Sequence, residues 1–297
     1  MENTHYFIGN IKFDNPILNA SGCWCMNEDQ LDELYSSSLS GIVSKTCSIF
    51  SKDGNPEPNY YYCKETNTHF NCKGLPNLGY QYYRKLSKKY TEKPYIISVA
   101  FDNYDDLKVL LNDYDKYSND KSVLIELNLS CPNLHSTIIG YNTFEFNKLL
   151  NILKFYNLKN VKFGLKLPPY IQVDLMNEII RILNEFTDII TYIVLSNSIP
   201  NCLPLNNGEP VLSKIVGGMS GKTNKYISLS NVIYFSKILS KEIKIIGCGG
   251  IDAIDDIMDY LNNGASFVQL ASCFYNVENN RLSVDKINKI TKEFNEK

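Results

Sequence analysis

Eight short apolar runs rich in β-branched residues, alternating with helical patterns over 297 residues, predict an α/β fold, a single (β/α)8 TIM barrel. Two further observations support that class. The runs are near-continuous rather than alternating, as parallel strands become when both of their faces are covered. Eight strand–helix repeats also fit this length better as one barrel than as a doubly wound sheet, so residues 1–297 read as one domain.

The elements follow in order. Tyr6, Ile8, Ile11 and Phe13 alternate around Gly9-Asn10, the pattern of an N-terminal hairpin that closes the barrel floor. The strands run from Pro16 to Ala20, Gly41 to Lys45, Tyr95 to Ala100, Val123 to Ser130, Val161 to Leu167, Ile189 to Ser196, Ile243 to Gly247 and Ala265 to Leu270. Asn27 offers a cap ahead of the acids Glu28 and Asp29, which opens a helix. Apolar spacings of three and four mark helices from Phe144 to Tyr156, Val173 to Phe186, Ile227 to Leu239 and Ala253 to Leu261. Two connections break the rhythm, residues 46–76 after strand two and 197–226 after strand six. Loops that long are expected to act as lids or binding loops.

Composition narrows the function. Hydrophobic residues make up 44% and charged residues 21%, which suits a globular enzyme with an ample core. A formal charge of −2 leaves no basic surplus for nucleic acid or an anionic membrane. The opening Met1-Glu-Asn-Thr-His-Tyr6 carries no signal or transit pattern, and no apolar run approaches a membrane span, so a cytoplasmic location is expected. Nine scattered cysteines then read as thiols in a reducing compartment. Neither Cys23-Trp-Cys25 nor the Cys63, His69 and Cys72 group has the paired spacing of a zinc site, and no metal is expected.

Barrel enzymes carry their chemistry at the C-terminal mouth, so the strand ends are an inventory of the site. Ser21-Gly22 follows strand one, Lys45-Thr46 strand two, Asn128 to Asn133 strand four, Lys166 ends strand five, and Ser196-Asn197-Ser198 follows strand six. Cys131 stands in that fourth turn between Asn128 and Asn133, where a thiol can take a proton from a polar heterocycle held by the two amides. The plainer alternative is a small core cysteine. A lysine in a buried strand end needs an anionic partner, and Lys45 and Lys166 both sit in one. Gly247-Cys-Gly-Gly250 after strand seven and Ala271-Ser272 after strand eight occupy the usual phosphate position of this barrel, and Gly217-Gly218-Met-Ser-Gly221 adds a third small-residue cluster. Phosphate and buried lysines together point to flavin mononucleotide (FMN), with a lysine at the N1 and O2 edge stabilising the reduced ring.

Asn19-Ala-Ser-Gly22, Gly74-Leu-Pro-Asn-Leu-Gly79, Asn128-Leu-Ser-Cys-Pro-Asn133, Gly164-Leu-Lys-Leu-Pro-Pro-Tyr170, Asn197-Ser-Ile199 and Ile246-Gly-Cys-Gly-Gly-Ile251 together resemble the class 1A dihydroorotate dehydrogenases, in order and spacing over essentially the whole chain. The resemblance implies a cytosolic FMN homodimer that oxidises (S)-dihydroorotate to orotate in pyrimidine biosynthesis and passes the electrons to fumarate, giving succinate. It implies that Cys131 removes the C5 proton beside Lys45 while the C6 hydride goes to flavin N5. Substrate binding would fall to Lys45, Asn71, Asn128, Asn133, Asn197 and Ser198, with the amides of Lys73, Gly74 and Leu75 at the carboxylate. FMN would be held by Ala20, Ser21, Lys45, Thr46, Asn128, Lys166, Ser196, Gly218, Gly249, Gly250, Ala271 and Ser272. Residues 71–77 would cover the pyrimidine, and the 131–141 loop would gate access.

The chain departs from the family pattern in four places. Lys73 stands where the family has Met; used through its amide it changes nothing, but an inward ammonium would add charge beside the substrate carboxylate. After Asn133 the chain reads Leu-His-Ser-Thr-Ile138 in place of Val-Pro-Gly-Lys-Pro, with His135 expected on the outer loop. Pro200 replaces a Gly, and Ala271-Ser272 replaces Gly-Thr. Competing readings are a dihydrouridine synthase, which needs a basic face and a helical RNA-binding domain, an NAD-linked or quinone-linked dehydrogenase, and a non-catalytic flavin-binding relic. Retention of Lys45, Asn71, Asn128, Cys131, Asn133, Lys166 and Asn197 together argues against decay.

Overall fold

The computed structural model describes residues 6–117, 123–131, 138–156, 158, 163–277 and 281–297. Eight parallel strands form the barrel: β1 (Ile17–Asn19), β2 (Ile42–Val43), β3 (Tyr95–Val99), β4 (Val123–Asn128), β5 (Phe163–Lys166), β6 (Ile190–Leu195), β7 (Lys244–Cys248) and β8 (Phe267–Leu270). They hydrogen-bond in chain order from β2 to β8, and β8 returns to β1. The seam between β1 and β2 closes differently. Leu18 bridges Gly41, and the Asn19 carboxamide donates to the Val43 carbonyl and accepts from the Val43 N–H, both at 2.8 Å. A side-chain amide thus stands in for a ladder pair and satisfies backbone groups that would otherwise be buried without partners. The expected first two residues of the fifth strand, Val161 and Lys162, lie outside the described residues.

Around the strands lie α1 (Glu28–Ser36), α2 (Tyr80–Leu86), α3 (Tyr104–Tyr117), α4 (Thr143–Tyr156), α5 (Val173–Asn184), α6 (Lys225–Ile238), α7 (Ile254–Asn262) and α8 (Val284–Asn295). Asn27 caps α1 as its sequence predicts, its Oδ1 accepting from Gln30 N at 3.1 Å. Every strand but β5 feeds two cores. Ile97, Leu165, Ile193 and Val268 face outward onto Leu107, Phe146, Ile179 and Ile257 of the helices. Leu18, Val43, Ile96, Val194 and Ile246 face inward, where Ile8 and Phe13 of the N-terminal hairpin (Tyr6–Ile8 and Ile11–Phe13) close the floor. Burying each such side chain is worth about 1.5–3 kcal/mol. Gly164 makes room inside: a Cβ there would fall within the Tyr192 ring, so the phenol can cross the interior.

The two long connections are not irregular. Tyr60–Cys63, Thr68–Asn71, Gly217–Gly221 and Ile199–Cys202 form one four-stranded antiparallel sheet in which the first connection pairs with the second, Asn71 opposite Gly218 and Thr68 opposite Gly221. Because these connections leave β2 and β6 at their C-terminal ends, the sheet lies at the mouth of the barrel.

Candidate active site

Polar residues at five strand ends form one hydrogen-bonded chain. Ser21 Oγ lies 2.8 Å from Thr46 Oγ1, which lies 2.9 Å from Ser98 Oγ and accepts from Asn128 Nδ2 at 3.3 Å. Asn128 Oδ1 accepts from Asn197 Nδ2 at 3.2 Å, and the Asn197 side-chain oxygen accepts from the Ser198 N–H at 2.8 Å. Ser196 Oγ meets Ser228 Oγ of α6 at 2.8 Å. Residues that the sequence scatters over more than 170 positions therefore share one rim, with Thr46, Asn128 and Ser196 buried. Ala20 is buried beneath them in the inner core.

Lys45 is half-buried beside this rim, and burial pulls its ammonium below the usual lysine range. Cys131 is half-buried, packs against Leu75 and Ala100, and lies within electrostatic reach of Lys45. Attraction is reciprocal: the thiolate favours a charged Lys45, and the ammonium favours the thiolate. Asn133, His135 and the rest of the altered loop at 132–137 lie outside the described residues.

The turn that carries Gly74 and Leu75 is held by side-chain amides. Asn77 Nδ2 donates to the Leu75 carbonyl at 2.9 Å and to Ser48 Oγ at 3.1 Å, while its Oδ1 accepts from Gly79 N at 2.9 Å. Asn55 donates to the Cys72 carbonyl at 2.6 Å. Leu75 is held at φ 58°, a left-handed conformation that a leucine adopts only under constraint. Across the sheet, Asn71 and Ser198 converge on Gly218: a Cβ there would lie 2.5 Å from Ser198 Oγ and 3.9 Å from Asn71 Nδ2. The Lys73 ammonium lies over the Tyr60 ring, 5.6 Å from its centroid, and 3.5 Å from Asn59 Oδ1. Its positive charge reaches Lys45 and Cys23, so it adds to the potential of the mouth.

At the opposite rim, Gly249 (φ 135°) and Gly250 (φ 65°) turn through conformations that side chains rarely adopt. A Cβ on Gly249 would strike Ser228 Oγ and come within 3.0 Å of Asn224 Nδ2. The two amides just ahead of α7 are already taken, since Asp256 Oδ2 accepts from Asp252 N and Ala253 N at 2.9 and 3.0 Å. Ser272 opens the short turn Ser272–Phe274 after Ala271. A cavity of about 390 Å³ meets Gly250 and Ser272, with Lys64, His69, Lys222 and Lys286 also on its walls. Burial drops the His69 ring to about 4, so it is neutral there. Asn224 is buried, donates to the Asn197 carbonyl at 3.2 Å, and has no partner for Oδ1. A glycine cradle and the buried Lys166 at the end of β5 offer donors, and the open Asn224 Oδ1 offers an acceptor, a combination that suits a phosphorylated, polar-edged ring such as FMN. Among the described residues no cluster of His, Cys, Asp and Glu is placed to hold a metal ion.

Asn19, Ser98, Asn224, Ser228 and the buried Glu126 do not feature among the residues predicted for the site. Glu126 has a sequence signal all the same, as a carboxylate in the middle of an otherwise apolar strand.

The family model described as "Dihydroorotate dehydrogenase" matches residues 5–296. A protein of Trypanosoma cruzi (strain CL Brener) named dihydroorotate dehydrogenase (fumarate) is 32% identical over 268 residues, 88% of this chain and 83% of the relative. One of the same name from Lachancea kluyveri is 34% identical over 276 residues, 90% of this chain and 85% of the relative.

Proposed function

The chain belongs to the dihydroorotate dehydrogenase family, and from that premise we propose that it oxidises (S)-dihydroorotate to orotate in pyrimidine biosynthesis, with FMN as its flavin and fumarate as the final acceptor. The observation that carries the reading is the meeting of Cys131 and Lys45 beside a rim of carboxamides, opposite a glycine cradle. Neither half alone specifies a reaction; a base beside amides that hold a planar imide, facing a phosphate turn, specifies a dehydrogenation of a heterocycle.

The residues divide the work by chemistry. Asn71, Asn128, Asn133, Asn197 and Ser198 present donors and acceptors to the pyrimidine edge, and the hydrogen bonds that join Asn128, Asn197 and Ser198 fix which atom each of those three presents. The amides of Lys73, Gly74 and Leu75 receive the carboxylate, and Asn77 keeps that turn in shape. Cys131 takes the C5 proton on its sulfur, and the ammonium of Lys45 stabilises the thiolate beforehand. FMN, when bound, supplies the two-electron acceptor for the substrate's C–H bonds. Ala20, Ser21, Thr46, Ser196, Gly218, Lys166 and the turns at Gly249-Gly250 and Ala271-Ser272 would hold it, and burial of Lys166 keeps that cation out of water where an electron-rich ring edge needs it.

Fumarate as acceptor rests on the names of the relatives. A cytoplasmic homodimer completes the proposal; among the described residues no helix is long and apolar enough to cross a membrane. The test is acceptor choice: after anaerobic reduction with dihydroorotate, fumarate is expected to reoxidise the protein and release succinate. Reoxidation by a quinone or by NAD alone would overturn the assignment.

A further inference from the structure

One buried charge has no place in that reaction. Glu126 is fully buried inside the barrel, on β4. Register sets it opposite Gly164 and sets Asn128 opposite Lys166, so Glu126 and Lys166 point to the same interior face with the lysine one layer nearer the mouth. Three other strands are built around the carboxylate. Gln269 of β8 donates from Nε2 to Glu126 Oε2 at 2.7 Å, and Tyr192 of β6 donates its hydroxyl at 3.4 Å through the space Gly164 leaves. Glu126 Oε1 and Gln269 Oε1 are buried with no hydrogen-bond partner. A carboxylate so placed is tolerated where a cation offsets it.

Lys166 is that cation. Burial raises the Glu126 carboxyl, and the Lys166 charge works against the rise. The Lys166 charge also reaches the thiols of Cys248 on β7 and of Cys25, and burial pushes both thiols up. Among the described residues the interior thus holds one carboxyl group and one lysine, stacked along the barrel axis beneath the proposed cofactor site.

We propose that Glu126 is an internal counter-charge, a positioning residue that fixes the Lys166 ammonium at the top of the barrel and tempers its pull on the flavin. This rests on the proposed flavin site. With the anion present, Lys166 presents a partly compensated charge to the ring. Without it the full positive charge stabilises added electron density, and the flavin becomes easier to reduce.

The test reads the bound flavin rather than turnover. FMN-loaded Glu126→Gln is equilibrated with reference dyes, its amide able to pair with both ends of the Gln269 amide. Its two-electron reduction equilibrium is expected to move about tenfold toward the reduced form, a potential about 30 mV more positive. Glu126→Asp keeps the charge and should restore the wild-type potential. Tyr192→Phe keeps the ring over Gly164 but removes one donor that favours the ionised carboxylate, so it shifts the equilibrium the same way by a smaller factor. That variant decides the matter if Glu126→Gln does not fold. Reduction equilibria within about twofold of wild type, accompanied only by lower thermal stability, would make Glu126 a packing residue and overturn the proposal. Wild-type protein that takes up no FMN would instead overturn the proposed function, a separate and visible result.

Discussion

Cys131 and Lys45 are the pair on which the proposed chemistry turns, and each makes its own prediction. Cys131→Ala should keep bound flavin yet lose turnover by about 10²–10⁴, the usual worth of a positioned base. Retained turnover in a flavin-replete Cys131→Ala protein would remove the thiol from the mechanism. The pair also sets a pH profile. An ordinary thiol titrates near pH 8.5, so turnover should climb above pH 7 as thiolate forms. It should fall again at high pH, because burial has lowered the point at which Lys45 gives up its proton. Replacing Lys45 with Arg should push that alkaline fall upward, as a guanidinium does not deprotonate there; an unmoved alkaline limb would show that Lys45 is not the group responsible. Cys131 and Lys45 were legible because a thiol and an ammonium are conspicuous at strand ends. Glu126 and Gln269 were less so, since one polar residue inside an apolar run reads as tolerated core until the interior is seen to be shared.

The barrel strands, the floor hairpin and the helices α1, α4, α5, α6 and α7 formed where local pattern placed them, whereas α2, α3 and α8 were not read from it. The lid did not follow, because its strands pair across about 150 positions and are written in Tyr, Asn, Pro and Gly rather than in alternating hydrophobes. Tyr60–Cys63 and Gly217–Gly221 each take their register from Thr68–Asn71, and no local window contains the second of those pairings. Beside this sheet Asn77 ties the turn at Gly74-Leu75, the proposed carboxylate site, to Ser48 and Gly79. Asn77→Ala should cost about 1–3 kcal/mol of stability through the buried groups left unpaired. The substrate KM should rise about tenfold while kcat changes little, as befits a residue that shapes binding rather than chemistry. A matched fall in kcat with KM unchanged would place Asn77 in the reaction step instead.

Seen whole, the barrel sorts its residues by depth: a hydrophobic floor closed by the hairpin, a charged interior layer at Glu126 and Lys166, and a carboxamide rim beneath a paired lid. Each layer answers a different physical demand, and Lys166 joins the last two. Lys166→Ala should raise the FMN dissociation constant about 10- to 100-fold, the worth of a charged hydrogen bond, so that dialysis bleaches the protein while its melting temperature falls only modestly. Flavin content equal to wild type after dialysis would refute that role. The central claim, a flavin reduced by dihydroorotate through Cys131, is tested most directly by one anaerobic stopped-flow measurement. Mixing the yellow wild-type protein with dihydroorotate should bleach the flavin absorbance within a turnover and yield one orotate per flavin, while flavin-replete Cys131→Ala bleaches about 10²–10⁴ times more slowly. Wild-type flavin that stays yellow in the presence of saturating dihydroorotate would contradict it.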